Sequence, residues 1–226
     1  MRAAVEAVVF DLDGTLVETE AAYRAAFHQA LAAVGVAAPQ AEFHDRLVGL
    51  PRPDRVPLLR AQFGAAFPMA AFFAAYDAAR AALLRDGVAP ARGAPALLEW
   101  LRLEGIACAV ATACSRRTAE AHLRHAGLAA HFRVVVTRDE VARRKPHPES
   151  FRRAAAALGV APQRAVAIED SAPGAAAALA AGMRTVLLAR RGVPGAITEG
   201  CWAVVDGLQE AGALLRTLAA QRSRAA

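Results

Sequence analysis

Four short stretches carry the residues able to do chemistry. Asp11-Leu12-Asp13-Gly14-Thr15 sets two carboxylates two positions apart beside a glycine and a hydroxyl. Thr112-Ala113-Cys114-Ser115 offers hydroxyls and a thiol, Arg144-Lys145-Pro146 offers cations, and Glu169-Asp170-Ser171 offers a second acidic pair. A carboxylate such as Asp11 can attack phosphorus and carry it as an aspartyl-phosphate. A second carboxylate at Asp13 can protonate the leaving oxygen and later deprotonate the attacking water. Carboxylates crowded together raise each other's pKa, so they persist at low cost only around a cation. Oxygen-only donors at that density suit Mg²⁺. A metal and Lys145 would neutralise phosphoryl oxygens, while the Thr112 hydroxyl and the Ala113 N–H after it can donate to the same group.

Lys145 is the single lysine among 27 basic residues. In a chain whose other cations are all arginine, a position that stays lysine needs a compact ammonium rather than a planar guanidinium.

These groups must be held by something, and the intervening pattern says what. Apolar, largely β-branched runs at 5–10, 106–111, 134–137, 165–168, 185–188 and 203–205 read as buried parallel strands. Helical patterns at 95–103, 116–126, 148–158 and 174–181 lie between them, several ending in glycine (Gly105, Gly127, Gly159, Gly182). Alternation of this kind predicts a doubly wound, mainly parallel α/β sheet. Ligands of such sheets bind at the carboxyl ends of the strands, which is where all four stretches fall.

From the first strand to the second there are far more residues than the roughly 30 a crossover needs. The surplus is helical: Tyr23, Phe27, Leu31 and Val34 mark one face, continued by Val56, Leu59 and Phe63 and by Phe72, Phe73, Tyr76 and Leu83. A helical insert over residues 16–88 is expected, with the remainder, 1–15 and 89–226, forming the α/β core. An insert directly after a strand end can close over what binds there. Glu18 and Glu20 read as the opening of its first helix, placed favourably for the dipole.

Composition removes other classes. The apolar stretches fall short of the roughly 18 residues of a membrane span, and no secretion signal precedes the first strand, so a cytoplasmic protein without a membrane partner is expected. Cys108, Cys114 and Cys201 form no C-x-x-C, and none has an arginine six positions on, which disfavours both structural zinc and a cysteine nucleophile. The net charge of +6 is scattered arginine with only 6% aromatics, so no nucleic-acid surface is expected. His28, His44 and His147 read as non-catalytic, Trp100 and Trp202 as packing, and Arg222-Ser223-Arg224 as a frayed tail.

Asp11-Leu12-Asp13-Gly14-Thr15-Leu16, Thr112, Lys145-Pro146, and Glu169-Asp170 with Gly174 and Ala180-Ala181-Gly182-Met183 resemble the four motifs of the haloacid dehalogenase superfamily. The insert resembles its helical type 1 cap, and the match covers nearly the whole chain. The resemblance implies a Rossmann-like core with an α-helical cap, Asp11 as nucleophile and Asp13 as general acid/base. It implies phosphate contacts from Thr112, Ala113 and Lys145, and a Mg²⁺ site of Asp11, the Asp13 carbonyl, Glu169 and Asp170. Cys114 stands where many relatives have Asn or Ser, and no side-chain role is implied for it.

Within that family, the carboxylate at Asp13 argues against dehalogenation, which has no alkoxide to protonate. A cap without lysine argues against phosphonate cleavage through a Schiff base. Hydrolysis of small phosphomonoesters (sugar phosphate or phosphoglycolate type) is the favoured expectation, with a phosphorylated metabolite as partner and a monomeric chain. A β-phosphoglucomutase-like mutase and a catalytically silent binding module stay open. Val48-Gly49-Leu50-Pro51-Arg52-Pro53-Asp54 resembles a cap loop of sugar-phosphate relatives, where Arg52 would contact a distal phosphate; it reads equally well as an exposed arginine in a Pro-rich turn.

Overall fold

The apolar runs Ala7–Phe10 and Ala165–Ile168 are buried at every position, as strands covered on both faces of a sheet must be. A computed structural model of the chain describes residues 5–189 and 195–223. The chain runs through β1 (Ala7–Phe10), α1 (Glu20–Ala33), α2 (Ala41–Asp45), α3 (Arg52–Phe63), α4 (Met69–Leu83), α5 (Ala94–Leu103), β2 (Ala107–Ala111) and α6 (Arg116–His125). It continues through β3 (Val134–Val136), α7 (Glu149–Ala157), β4 (Ala165–Glu169), α8 (Ala172–Ala181), β5 (Arg184–Leu188), α9 (Gly195–Gly200), β6 (Ala203–Val205) and α10 (Leu208–Ser223).

The six strands form one sheet in the order β3-β2-β1-β4-β5-β6, every pairing parallel. The fold is the expected doubly wound, Rossmann-like α/β sheet. β1 sits at its centre, paired with β2 on one side and β4 on the other, so the order reverses beside it and opens a crevice at the carboxyl ends.

One face of the sheet is built for close approach. Ala7, Val9, Ala109, Ala111, Ala165 and Ala167 meet Phe151, Ala154 and Ala155 of α7 and Ala177, Ala178 and Ala181 of α8 in one buried cluster. Alanines on both sides let helix and sheet backbones draw near, and Phe151, fully buried, fills the remaining volume. Burying that ring contributes roughly 2–3 kcal/mol.

The chain divides into two compact units, one running to Glu18 and resuming at Ala89, the other Thr19–Val88. Leu16, Val17 and Glu18, placed in the insert by the sequence reading, are tied to the first unit. Leu16 O accepts from Ala91 N, Glu18 N donates to Ala89 O, and Val17 bridges to Asp13 and Pro90. The second unit is helical and centres on an aromatic cluster of Phe27, Phe43, Phe67, Phe72, Phe73 and Tyr76 with Leu31 and Leu59.

Several expectations need correction. Leu83 is exposed rather than on the inward face of α4, and Trp202 is exposed too. Glu20 stands in the first turn of α1, but Glu18 precedes that helix. The segment from Arg222 is not frayed at its start: α10 is helical through Ser223, and Arg224 lies outside the described residues. Among the described residues no helix is long and apolar enough to cross a membrane.

Candidate active site

Asp11 is the first residue past β1, and its N–H donates to Ile168 O at 2.9 Å, which prolongs the ladder to β4 and fixes the backbone. The chain then folds tightly on itself. Leu12 O accepts from Leu16 N and Val17 N, Gly14 N donates to Val17 O, and Gly14 takes φ +79°, a conformation only glycine adopts freely. Leu12 and Leu16 are fully buried and pin this turn from below.

Thr112 is anchored in the same way after β2, its N–H donating to Val136 O at 2.9 Å. Its buried hydroxyl accepts from Cys114 N at 3.0 Å, so it closes the loop locally while retaining its own proton to donate. Ala113, next to it, is exposed.

Lys145 arrives on the loop between β3 and α7, and the Lys145–Pro146 peptide is cis. Glu149, in the first turn of α7, accepts from Ala142 N at 3.0 Å and Arg143 N at 2.9 Å, bracing that loop. These backbone bonds, with Arg153 beside it, hold the Glu149 carboxyl below its ordinary value. The Lys145 ammonium lies 4.8 Å from the Phe151 ring centroid, contacts Glu169 Oε1, and donates to Asp11 Oδ1 at 2.6 Å.

Glu169 is the last residue of β4 rather than a loop residue, and it is fully buried. Its Oε2 accepts from Asp170 N, Ser171 N and Ser171 Oγ, each at 3.0 Å. Ser171 also caps α8, its oxygen accepting from Gly174 N at 3.2 Å. Gly174 is required for this approach: a Cβ there would fall inside the Glu169 carboxylate. Thr15 Oγ1 reaches Asp170 Oδ1 at 3.5 Å.

Asp11, Glu169 and Asp170 present donor atoms within 4.8 Å of one another, all buried. Burial pushes the Asp11 carboxyl up to about 7, with Glu169 adding to the rise and Lys145 opposing it. Asp170 is pushed well above the ordinary carboxyl range by burial and then by Glu169 and Asp11. Burial acts to lower Lys145, but Asp11 and Glu169 outweigh it and hold the ammonium above its ordinary value. Three buried acids thus face one ammonium. A hard cation held by oxygen donors fits that imbalance.

The Asp13 side chain turns elsewhere. Its Oδ2 accepts from Cys114 Sγ at 2.6 Å, and its Oδ1 lies 3.2 Å from His122 Nδ1. Nothing in the sequence marks a role for Cys114 or singles out His122, because the Asp13 partner of His122 lies 109 residues away and a lone histidine on a helix carries no signal of its own. Burial and then Asp13 push the Cys114 thiol well above its ordinary value.

Arg52 opens α3 rather than sitting in a turn. Its guanidinium pairs with Asp77 at 2.6 Å and lies 4.5 Å from the Phe73 ring centroid, so it is already engaged within the helical unit. His28 is exposed, His44 is buried among aromatics, and His147 is half-buried with its Nδ1 accepting from Glu149 N.

The haloacid dehalogenase-like hydrolase family model matches residues 8–188, and the chain belongs to that family. The protein CbbY of Cereibacter sphaeroides is 38% identical over 192 residues, covering 81% of this chain and 84% of its own. A phosphorylated carbohydrates phosphatase of Thermotoga maritima is 29% identical over 210 residues, covering 93% of each. Among solved structures, CbbY of Rhodobacter sphaeroides in complex with xylulose-(1,5)bisphosphate superposes with a TM-score of 0.73 at 32% identity, covering 92% of this chain and 98% of that one.

Proposed function

We propose that this phosphoric monoester hydrolase acts on small sugar phosphates, with Mg²⁺ and through an aspartyl-phosphate on Asp11. The observation that carries the reading is the Asp11 carboxylate held 2.6 Å from the Lys145 ammonium at the end of the central strand, beside Glu169 and Asp170. Relatives named as phosphatases of phosphorylated carbohydrates, and a neighbour holding a sugar bisphosphate, support the substrate class over phosphoglycolate.

An Asp11 oxygen attacks phosphorus, and the bond to the substrate oxygen breaks. Asp13 gives its proton to that leaving oxygen, then takes one from the water that attacks the acyl phosphate, which releases inorganic phosphate and restores Asp11. Lys145 aligns the Asp11 carboxylate and offsets the negative charge brought by the phosphoryl group. The Thr112 hydroxyl and Ala113 N–H donate to the phosphoryl oxygens. Asp11, Glu169 and Asp170, with the Asp13 carbonyl, would hold Mg²⁺, which when bound neutralises phosphoryl charge and keeps Asp11 ionised.

The helical unit, as a cap, would select the substrate, with Arg52 released from Asp77 to meet a distal phosphate. The partner is a small phosphorylated metabolite, and the enzyme works as a cytoplasmic monomer.

The test is Mg²⁺-dependent phosphate release from an aryl phosphate and then from a panel of pentose phosphates, hexose phosphates and phosphoglycolate. Turnover by the wild type and its loss in Asp11→Asn are expected. Equal turnover in Asp11→Asn would remove the nucleophile, and no turnover from the wild type would favour a silent module. Accumulation of glucose 6-phosphate from β-glucose 1-phosphate with trace bisphosphate, in place of free phosphate, would make the protein a mutase.

A further inference from the structure

The donors around Asp13 form a second cluster, chemically unlike the first. Cys114 Sγ, a carboxylate oxygen of Asp13 and a ring nitrogen of His122 lie within 4.8 Å of one another. They come from three places: the turn after β1, the loop after β2, and the last turn of α6. Asp13 bridges the pair, one oxygen to the thiol at 2.6 Å and the other 3.2 Å from His122 Nδ1.

His122 is the informative member. Its side chain is about 95% buried (5% exposed), and Nδ1 makes no hydrogen bond although it lies so near Asp13. A buried ring nitrogen left without a hydrogen bond is costly to fold around. A histidine whose task was to hold the carboxylate would aim its N–H at it. At 3.2 Å without a hydrogen bond, the in-plane direction of Nδ1, the same for an N–H or a lone pair, misses the Asp13 oxygen and is left unused.

We propose that Asp13, Cys114 and His122 form a binding site for a borderline-soft divalent cation of the Zn²⁺ class. Sulfur, nitrogen and one carboxylate oxygen are the donors such ions prefer, whereas the Asp11–Glu169–Asp170 cluster offers oxygen alone. Three protein ligands leave a fourth position for water or a phosphate oxygen. On binding, the thiol proton passes to solvent, and thiolate and carboxylate together balance the charge of the ion. Occupancy removes Asp13 from proton transfer, so the site inhibits turnover; that consequence, unlike the binding, rests on the phosphatase reading.

The test uses the metal-free full chain with excess Mg²⁺ to fill the oxygen cluster, titrated with Co²⁺ as a coloured stand-in. Expected is a near-ultraviolet thiolate-to-cobalt absorption that saturates at about one ion per chain and is bleached by Zn²⁺. It should vanish in Cys114→Ser and weaken by about tenfold or more in affinity in His122→Gln. No such band in the wild type, or a band that survives in Cys114→Ser, overturns the site and leaves a purely hydrogen-bonded trio. If His122→Gln fails to fold by circular dichroism, Asp13→Asn must weaken the band instead, and an unchanged band there overturns the site equally. Zn²⁺ should also suppress phosphate release at saturating Mg²⁺, with about tenfold more needed in Cys114→Ser. A cobalt band without inhibition keeps the site and overturns the role given to Asp13.

Discussion

Lys145 Nζ stands 2.6 Å from Asp11 Oδ1 and at the same time contacts Glu169, joining the ends of β1 and β4 through one buried ammonium. The only lysine in the chain therefore occupies a place where charge must be compact. Lys145→Arg should lower kcat by about two to three orders of magnitude, because a planar fork cannot fit between two carboxylates in a pocket this closed. Steady-state phosphate release checks this. Lys145→Met, which leaves three acids without a counter-charge, should lower the melting temperature of the metal-free protein, and Mg²⁺ should recover part of that loss.

The Asp11 carboxyl sets a pH dependence. Its pKa rises from 3.8 unfolded to about 7 folded, so between those values the folded state binds more protons than the unfolded state. Metal-free stability should fall as pH climbs from about 4 to 7 and level off above, relative to Asp11→Asn. Melting curves of the two proteins across that range test the sign. Mg²⁺ competes with that proton, so its affinity should weaken as pH drops below about 7, measurable by calorimetric titration.

Gly174→Ala should destabilise the chain by about 3 kcal/mol or more, because the added methyl coincides with the Glu169 carboxylate. Moving Glu169 also disturbs the Lys145 contact and the cap of α8. Chemical denaturation gives the stability change, and phosphate release should fall with it.

His44 predicts acid sensitivity. Burial, then Arg24, lowers it from 6.5 to about 4, with Asp45 opposing. The unfolded chain therefore binds the extra proton across that window, and stability present above pH 6.5 is lost as pH falls toward 4. His44→Phe, which keeps an aromatic ring beside Phe27 (5.3 Å between the ring centroids of Phe27 and His44), should lose less stability between pH 7 and 5. Thermal melts at the two pH values decide it.

Much of the site could be read in advance because its parts are local. Asp11 and Asp13 share one turn, Glu169 and Asp170 are adjacent, and each group follows a run of buried strand residues. Hidden from that reading was whatever depends on distant partners or weak contrast. The Asp13–Cys114–His122 cluster draws on three separate stretches. The helix α10 buries Leu208, Ala211 and Leu215 at helical spacing within a segment otherwise rich in alanine and polar residues, where the contrast between faces is faint. Arg52 looked free in a Pro-rich stretch, yet Pro51 serves as the N-cap of a helix and the guanidinium is taken up by Asp77.

The sequence by itself determined the parallel sheet and which residues stand at its carboxyl edge, because strand periodicity and strand-end position are properties of short segments. Only the tertiary structure decided how the four carboxylates divide. Strand order brings Asp11 against Glu169, Asp170 and Lys145, while the turn at Gly14 sends Asp13 toward Cys114 and His122. That division follows from side-chain direction and packing between elements far apart in the chain.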